Sequence, residues 1–212
     1  MSVKPLHTCI ILNGPPAVGK DTLADIFIGA CPGVHKMQFK ERLYTDTMEE
    51  FGLTRNVHQA EFMFRATDRM KKEEKWSRLG GFSPREALIH TSEHVIKPNQ
   101  GSEYFGVAAA QECLLNKAQV AIFADGGFPD EIEPLHAIYK NLIIFRLQRD
   151  GFTFDGDSRN YLPDGKNVHN LRLVDGEPLT AIYEIYITLS ILLGQDADEF
   201  LELLEKTSEK SA

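Results

Sequence analysis

Apolar residues in this chain fall into two alternating patterns. Short unbroken runs, rich in β-branched residues and closed by turn formers, predict buried strands. They are Thr8 to Leu12 (TCIIL, ending at Asn13-Gly14), Val120 to Ala124 (VAIFA, ending at Asp125-Gly126-Gly127) and Leu142 to Leu147 (LIIFRL). His35 to Phe39 and Val168 to Val174 read as weaker strands. Between them apolar residues recur at helical spacing. Leu23, Ile26 and Phe27 mark a helix over Thr22 to Ala30, stopped by Pro32-Gly33, and Leu43, Met48 and Phe51 mark one over Lys40 to Phe51. Val57 to Leu79 mixes Phe62, Phe64, Met70 and Trp76 with many charges and predicts one or two helices, with KKEEK (Lys71 to Lys75) as a solvated helix face. Ser83-Pro84-Arg85-Glu86 is a helix start: Ser at the N-cap, Pro at the first helical position, Glu closing a capping box. That helix should run to about Lys97 and end before Pro98. Further helices are expected over Glu103 to Lys117, Glu131 to Tyr139, Leu179 to Leu193 and Asp196 to Lys206. In the third of these, Leu179, Ile182, Tyr186, Leu189 and Leu193 form one stripe, read as core or as a subunit contact, which leaves a homodimer open. Strands alternating with helices predict an α/β fold with a mostly parallel sheet.

Arg149 to Asn167 breaks the alternation. It holds Gly, Asp, Asn and Pro with few aliphatics, and so long a loop inside a compact domain is usually functional or disordered. Composition changes the picture mainly by exclusion. With 212 residues, 42% of them hydrophobic, the chain can bury one core plus an inserted lobe without disulfides or metal. Its three cysteines, Cys9, Cys31 and Cys113, show no paired spacing and suit a reducing cytosol. A formal charge of −8 argues against broad binding to nucleic-acid polymers or acidic lipid. No apolar run reaches the ~18 residues of a membrane span, and MSVKPLHT lacks a signal-peptide core. The expectation is a cytoplasmic protein whose partners are small molecules, with any anion site built locally.

One such site is legible. GPPAVGKDT, Gly14 to Thr22, matches GxxxxGK and lies between a strand and a helix, the context the motif requires. The loop from Gly14 and Pro15 through Ala17, Val18 and Gly19 can turn successive N–H groups around a phosphate, and the following helix adds its positive end. Lys20 can reach the β- and γ-phosphates. The residue after Lys20, usually Ser or Thr for Mg²⁺, is Asp21, with Thr22 next; either can serve as a hard oxygen ligand. No guanine-reading NKxD motif occurs, and the chain is short for a motor or helicase core, which leaves a small-molecule or nucleotide kinase. The fold expected is therefore a three-layer P-loop NTPase domain over 1–212, with a helical substrate lobe near 54–117 and a lid loop at 149–167.

The GKDT loop, followed by a short strand and a helix beginning FKERL, resembles the bacteriophage deoxynucleoside monophosphate kinases. PREAL, SEHVIKP and YFG are similar to that group's substrate-side helix pair, and FADGGFPDEI and the arginine-bearing loop after LIIFRLQRD also fit. The resemblance implies ATP as donor, Mg²⁺, and a deoxynucleoside monophosphate as acceptor. The GKD variant is shared with animal-type phosphomevalonate kinase, so another small-molecule kinase is a rival reading, and a non-catalytic ATP-binding module is a second.

Phosphoryl transfer is mostly positioning and charge neutralisation, so an acidic protein must gather its cations at one place. Arg85 lies in the first turn of a capped helix, where a cation opposes the helix dipole unless an anion joins it; it is the candidate grip on the acceptor phosphate. Lys40 follows a strand end and can approach the same group, with Arg65 and Arg69 as alternatives on the lobe. Asp125 ends an apolar strand at the carboxyl edge of the sheet, where ligands bind in open α/β folds, and could hold Mg²⁺ or orient the acceptor. Glu131 fits a helix's first turn as readily as a site. Arg149 and Arg159 flank the polar loop and would neutralise developing charge. Tyr104, Phe105 and Phe128 are base-stacking candidates. His90, His94 and Cys113 do not make a metal set.

Overall fold

The computed structural model describes residues 5–68 and 70–205. Arg69 and Lys206, both named above, lie outside the described residues. Among the described residues five parallel strands stand in the order β2-β3-β1-β4-β5. They are β1 Leu6–Asn13, β2 Val34–Met37, β3 Val120–Phe123, β4 Tyr139–Gln148 and β5 Val168–Arg172. β1 is central and buried at every position. Its residue Ile10 sits in register with Ile122 of β3 and Ile143 of β4. Because strand side chains alternate, Ile10 and Leu12 face one layer and Cys9 and Ile11 the other. The first layer is α1 (Lys20–Ala30), α8 (Pro178–Leu193) and α9 (Ala197–Glu205). The second is α6 (Tyr104–Leu115) and α7 (Pro129–His136). The result is the expected three-layer α/β architecture, and the carboxyl ends of β1 and β3 open onto one edge.

A separate hydrophobic cluster builds the lobe. Tyr44 and Met48 of α2 (Lys40–Glu50), Phe62 of α3 (Arg55–Thr67), Trp76, Leu79, and Ala87 of α4 (Pro84–His90) pack together. The 57–79 stretch is thus one α-helix followed by two 3-10 turns, Lys71–Glu73 and Ser77–Leu79. KKEEK is therefore not an α-helix face: its first three residues form the first of those turns, and the chain becomes extended at Glu74. The capping box at Ser83 forms in full: Glu86 N–H donates to Ser83 Oγ (3.3 Å) and Ser83 N–H to Glu86 Oε2 (2.7 Å).

Two further expectations need correcting. The helix begun at Ser83 does not stop before Pro98. It passes through a π-helical turn, Thr91–Ile96, and restarts as α5, Lys97–Gln100. The backbone stays helical through Lys97, whose N–H donates to the Ser92 carbonyl; Pro98 has no N–H to offer the next carbonyl, and the helix carries on past that one missing bond. In α8 the buried stripe is Ala181, Ile185, Leu189 and Leu193, while Leu179 and Tyr186 are exposed. Nearly every position of that helix is apolar, so several stripes share the spacing, and docking on α1 selects the one carrying small Ala181.

Contact between α6 and α7 depends on Gly106. A Cβ there would stand 2.1 Å from the Glu131 carbonyl oxygen, a backbone atom that cannot yield. Gly106→Ala is expected to destabilise the fold by about 1–3 kcal/mol, the usual cost of overpacking, read as a lower urea midpoint at unchanged m-value. No helix among the described residues is long and apolar enough to cross a membrane.

Candidate functional site

Between β1 and α1 the chain turns through Gly14 to Gly19. Ala17 (φ 61°) and Gly19 (φ 118°) both take left-handed backbone conformations, and the helix begins at Lys20. Lys20 folds back over the turn and donates to the carbonyls of Gly14 (2.6 Å) and Pro15 (2.7 Å). It is 8% exposed. Burial pushes its pKa down to about 8, and the Arg159 guanidinium adds to the effect. A lysine held beside a second cation, with no carboxylate bonded to it, is a place made for an anion.

The turn separates two cavities. The larger, about 450 Å³, lies between the turn, the lobe and the long loop. Lys40, Arg85, Asp125 and Arg159 line it, and Leu88, Phe105 and Phe128 give it an apolar and aromatic wall. The smaller, about 170 Å³, lies against Val18, Gly19 and Thr22, facing Arg149, Leu173 and Glu177.

Asp125 is fixed by geometry rather than by a charge partner. Its Oδ1 accepts from Phe39 N–H (3.2 Å) and its Oδ2 from Lys40 N–H (3.1 Å). It thereby supplies the start of α2 with the cap that Phe39 cannot provide. Burial raises its pKa, opposed by Lys40. Asp125→Ala should leave both N–H groups unsatisfied and cost about 2 kcal/mol in chemical unfolding; a change below about 0.5 kcal/mol would show that these bonds do not form in solution.

Arg159 belongs to the same group. Its Nε and Nη2 donate to Asp157 at 2.8 and 2.9 Å. The side chain lies over Gly127, where any Cβ would come within 2.6 Å of Arg159 Cδ. The Gly-Gly pair after Asp125 is therefore room for an arginine as well as a turn. The long loop is tied down through Asn13, which donates to the carbonyls of Gly126 (3.3 Å) and Asn160 (3.1 Å) and accepts from Leu162 N–H (2.9 Å). Leu162 itself is buried in the core.

Arg85 reaches the larger cavity from the first turn of α4 and is held weakly by Glu73 at 3.3 Å. Phe128 presents one ring face to Lys97 Nζ, 4.0 Å from its centroid. Arg65 is elsewhere: it stacks on Trp76 (5.0 Å) and pairs with Glu61 (3.1 Å), outside the cavity lining. Arg149 stands on the opposite side of the turn from Arg159, over Phe152 and paired with Asp175. Asp21 is exposed on α1 with Lys36 Nζ 3.5 Å away, and Thr22 faces the smaller cavity. Among the described residues no three His, Cys, Asp or Glu side chains gather as a ligand set. Sequence reasoning gave Asn13 and Asp157 no role in the site and Glu131 little weight; only the strand-end position of Asn13 was a local signal.

No protein-family model matches the chain, and no curated protein matches it. Among solved structures it is similar to an unliganded sugar kinase from Janibacter sp. HTCC2649, with a TM-score of 0.47 and 10% identity over 88% of this chain and 96% of that one. The functional reading therefore rests on the site itself.

Proposed function

We propose that the protein transfers the γ-phosphoryl group of ATP to a deoxynucleoside monophosphate, giving ADP and the diphosphate. The observation that carries this reading is the phosphate-binding turn standing between two cavities, with cations on both sides. In this reading the turn and Lys20 hold the triphosphate. The smaller cavity takes the adenine, where the Arg149 guanidinium can lie on its face as it lies over Phe152. The larger takes the acceptor, whose phosphate meets Lys40 and Arg85 and whose base meets Phe105 and Phe128. An acceptor phosphate oxygen forms the new bond to the γ-phosphorus as the bond from that phosphorus to the β-bridging oxygen breaks, and the electron pair leaves on ADP. Lys20 and Arg159 stabilise the charge spread over the transferring oxygens. Mg²⁺, when bound, would supply charge neutralisation on the triphosphate, and Asp21, Thr22 and Asp125 are the side chains that would hold it. The resemblance of the loop and lobe segments to phage nucleotide kinases supports the choice of acceptor, and so does an aromatic wall that a phosphorylated alcohol would not use.

The test is Mg²⁺-dependent ADP release from ATP, followed against ribo- and deoxynucleoside monophosphates and phosphomevalonate. Stimulation by one or more deoxynucleoside monophosphates is expected. Stimulation by phosphomevalonate alone would move the acceptor, and no stimulation with ATP binding intact would leave a nucleotide-binding module.

A further inference from the structure

We infer that Glu131 hydrogen-bonds the edge of the acceptor base and so positions the acceptor in the larger cavity. This rests on the reading of that cavity as the acceptor site. Glu131 is 6% exposed, yet it lines the cavity. Among the described residues its carboxyl group makes no hydrogen bond and no ion pair. The cation beside it is already committed: Lys97 Nζ donates to Glu93 (2.7 Å) and lies over Phe128. Its oxygens are not among the sealed, unpartnered atoms of the interior; they open onto the cavity, where a ligand can meet them. The place of Glu131 is set through its backbone, because Gly106 lets α6 press directly on its carbonyl. Its side chain is thus held at the cavity wall without a bond of its own.

The surroundings indicate what would supply that bond. Phe105, Phe128, Leu88 and Ile89 offer surfaces for the face of a heterocycle, so its polar edge is what remains for a carboxyl group beside the rings. Burial pushes the Glu131 pKa up to about 8, with Asp125 and Glu93 adding to the rise and Lys97 and Arg159 opposing it. The group is therefore largely protonated at neutral pH and offers an O–H donor next to a carbonyl acceptor. Every nucleobase carries an adjacent donor and acceptor on one edge, N–H beside C=O in guanine and thymine, amino group beside ring nitrogen in adenine and cytosine. A neutral carboxyl group can pair with any of them, which fits an enzyme accepting more than one base.

The experiment compares the unmodified protein with Glu131→Met and Glu131→Gln. It measures kcat, KM for ATP and for each deoxynucleoside monophosphate, calorimetric binding of those monophosphates, and thermal melting. Glu131→Met should raise the acceptor KM roughly ten-fold or more, leave the ATP KM unchanged, and melt no lower than the native protein, because no hydrogen bond within the protein is lost. Glu131→Gln, which keeps an adjacent donor and acceptor, should recover most of the lost affinity. An unchanged acceptor KM in Glu131→Met overturns the inference while leaving the kinase reading standing. So does a lower melting temperature with both KM values raised together, which marks a structural role, and so does a Gln variant no better than Met. A native protein that neither binds nor phosphorylates any nucleoside monophosphate overturns the acceptor reading itself, and the inference with it.

Discussion

Lys20→Met is expected to lower kcat/KM by about two to three orders of magnitude with the fold intact, the loss typical when one preorganised donor to a developing charge is removed. The same variant should change the pH dependence of stability. The folded-state pKa of Lys20 is about 8, against 10.5 in an open chain. Below pH 8 both states carry the proton and the full penalty of burying the charge is present. Between pH 8 and 10.5 the unfolded chain binds a proton that the folded protein does not, so this residue's contribution becomes more favourable as pH rises. The stability of the native protein relative to Lys20→Met should therefore grow by about 2 kcal/mol between pH 7 and pH 9.5. Buried groups such as Tyr139, whose pKa is also displaced, are common to both proteins and cancel. Urea unfolding at the two pH values, beside ADP release at pH 7.5, checks both halves. A flat difference would mean that Lys20 is solvated, and full activity in the variant would remove it from the reaction.

The turn around Lys20 was readable because its determinants are local. A buried strand, a loop needing left-handed backbone at Gly19, and a lysine at the head of a helix all occur within consecutive residues. The cap at Ser83 and the irregular loop after β4 were readable for the same reason. What escaped depends on contacts between distant segments. Glu131 in a helix's first turn looks like an ordinary complement to the helix dipole, and its burial comes from Gly106 on another helix. Asp125 stood out as a strand-end acid, but its two backbone donors come from the start of α2. Arg149 and Arg159 flank one loop and look equivalent in sequence, yet β4 delivers the first to one side of the turn and the anchored loop returns the second to the other. The π-turn at Thr91–Ile96 is a change of hydrogen-bond register with no compositional mark of its own.

Arg159 gives the second large effect. Removing it should cost kcat about 10² to 10³, and more than it costs acceptor KM, because in the proposed reaction it would act on charge that develops during transfer. Nε and one Nη2 hydrogen are engaged by Asp157, which leaves three of the five guanidinium N–H groups for phosphate oxygens. The bond with Arg159 also holds the Asp157 carboxyl at about 2, so this support stays ionised throughout the working pH range. Arg159 in turn depresses the pKa of Lys20, which means that the two cations repel while the site is unliganded. An anion placed between them converts that repulsion into attraction, and most strongly where negative charge is greatest. Arg159→Ala should therefore raise the pKa of Lys20 while abolishing most of the turnover. Arg159→Lys restores the charge without the fork and should stay at least ~10-fold below the native rate. Asp157→Asn should lower kcat more mildly, since the guanidinium keeps its charge and loses only its support. Steady-state kinetics of the three variants order these effects. If Asp157→Asn proved as damaging as Arg159→Ala, the carboxylate rather than the guanidinium would be acting on the reacting groups; if Arg159→Ala kept its kcat, the long loop would be a cover for the site and not part of its chemistry.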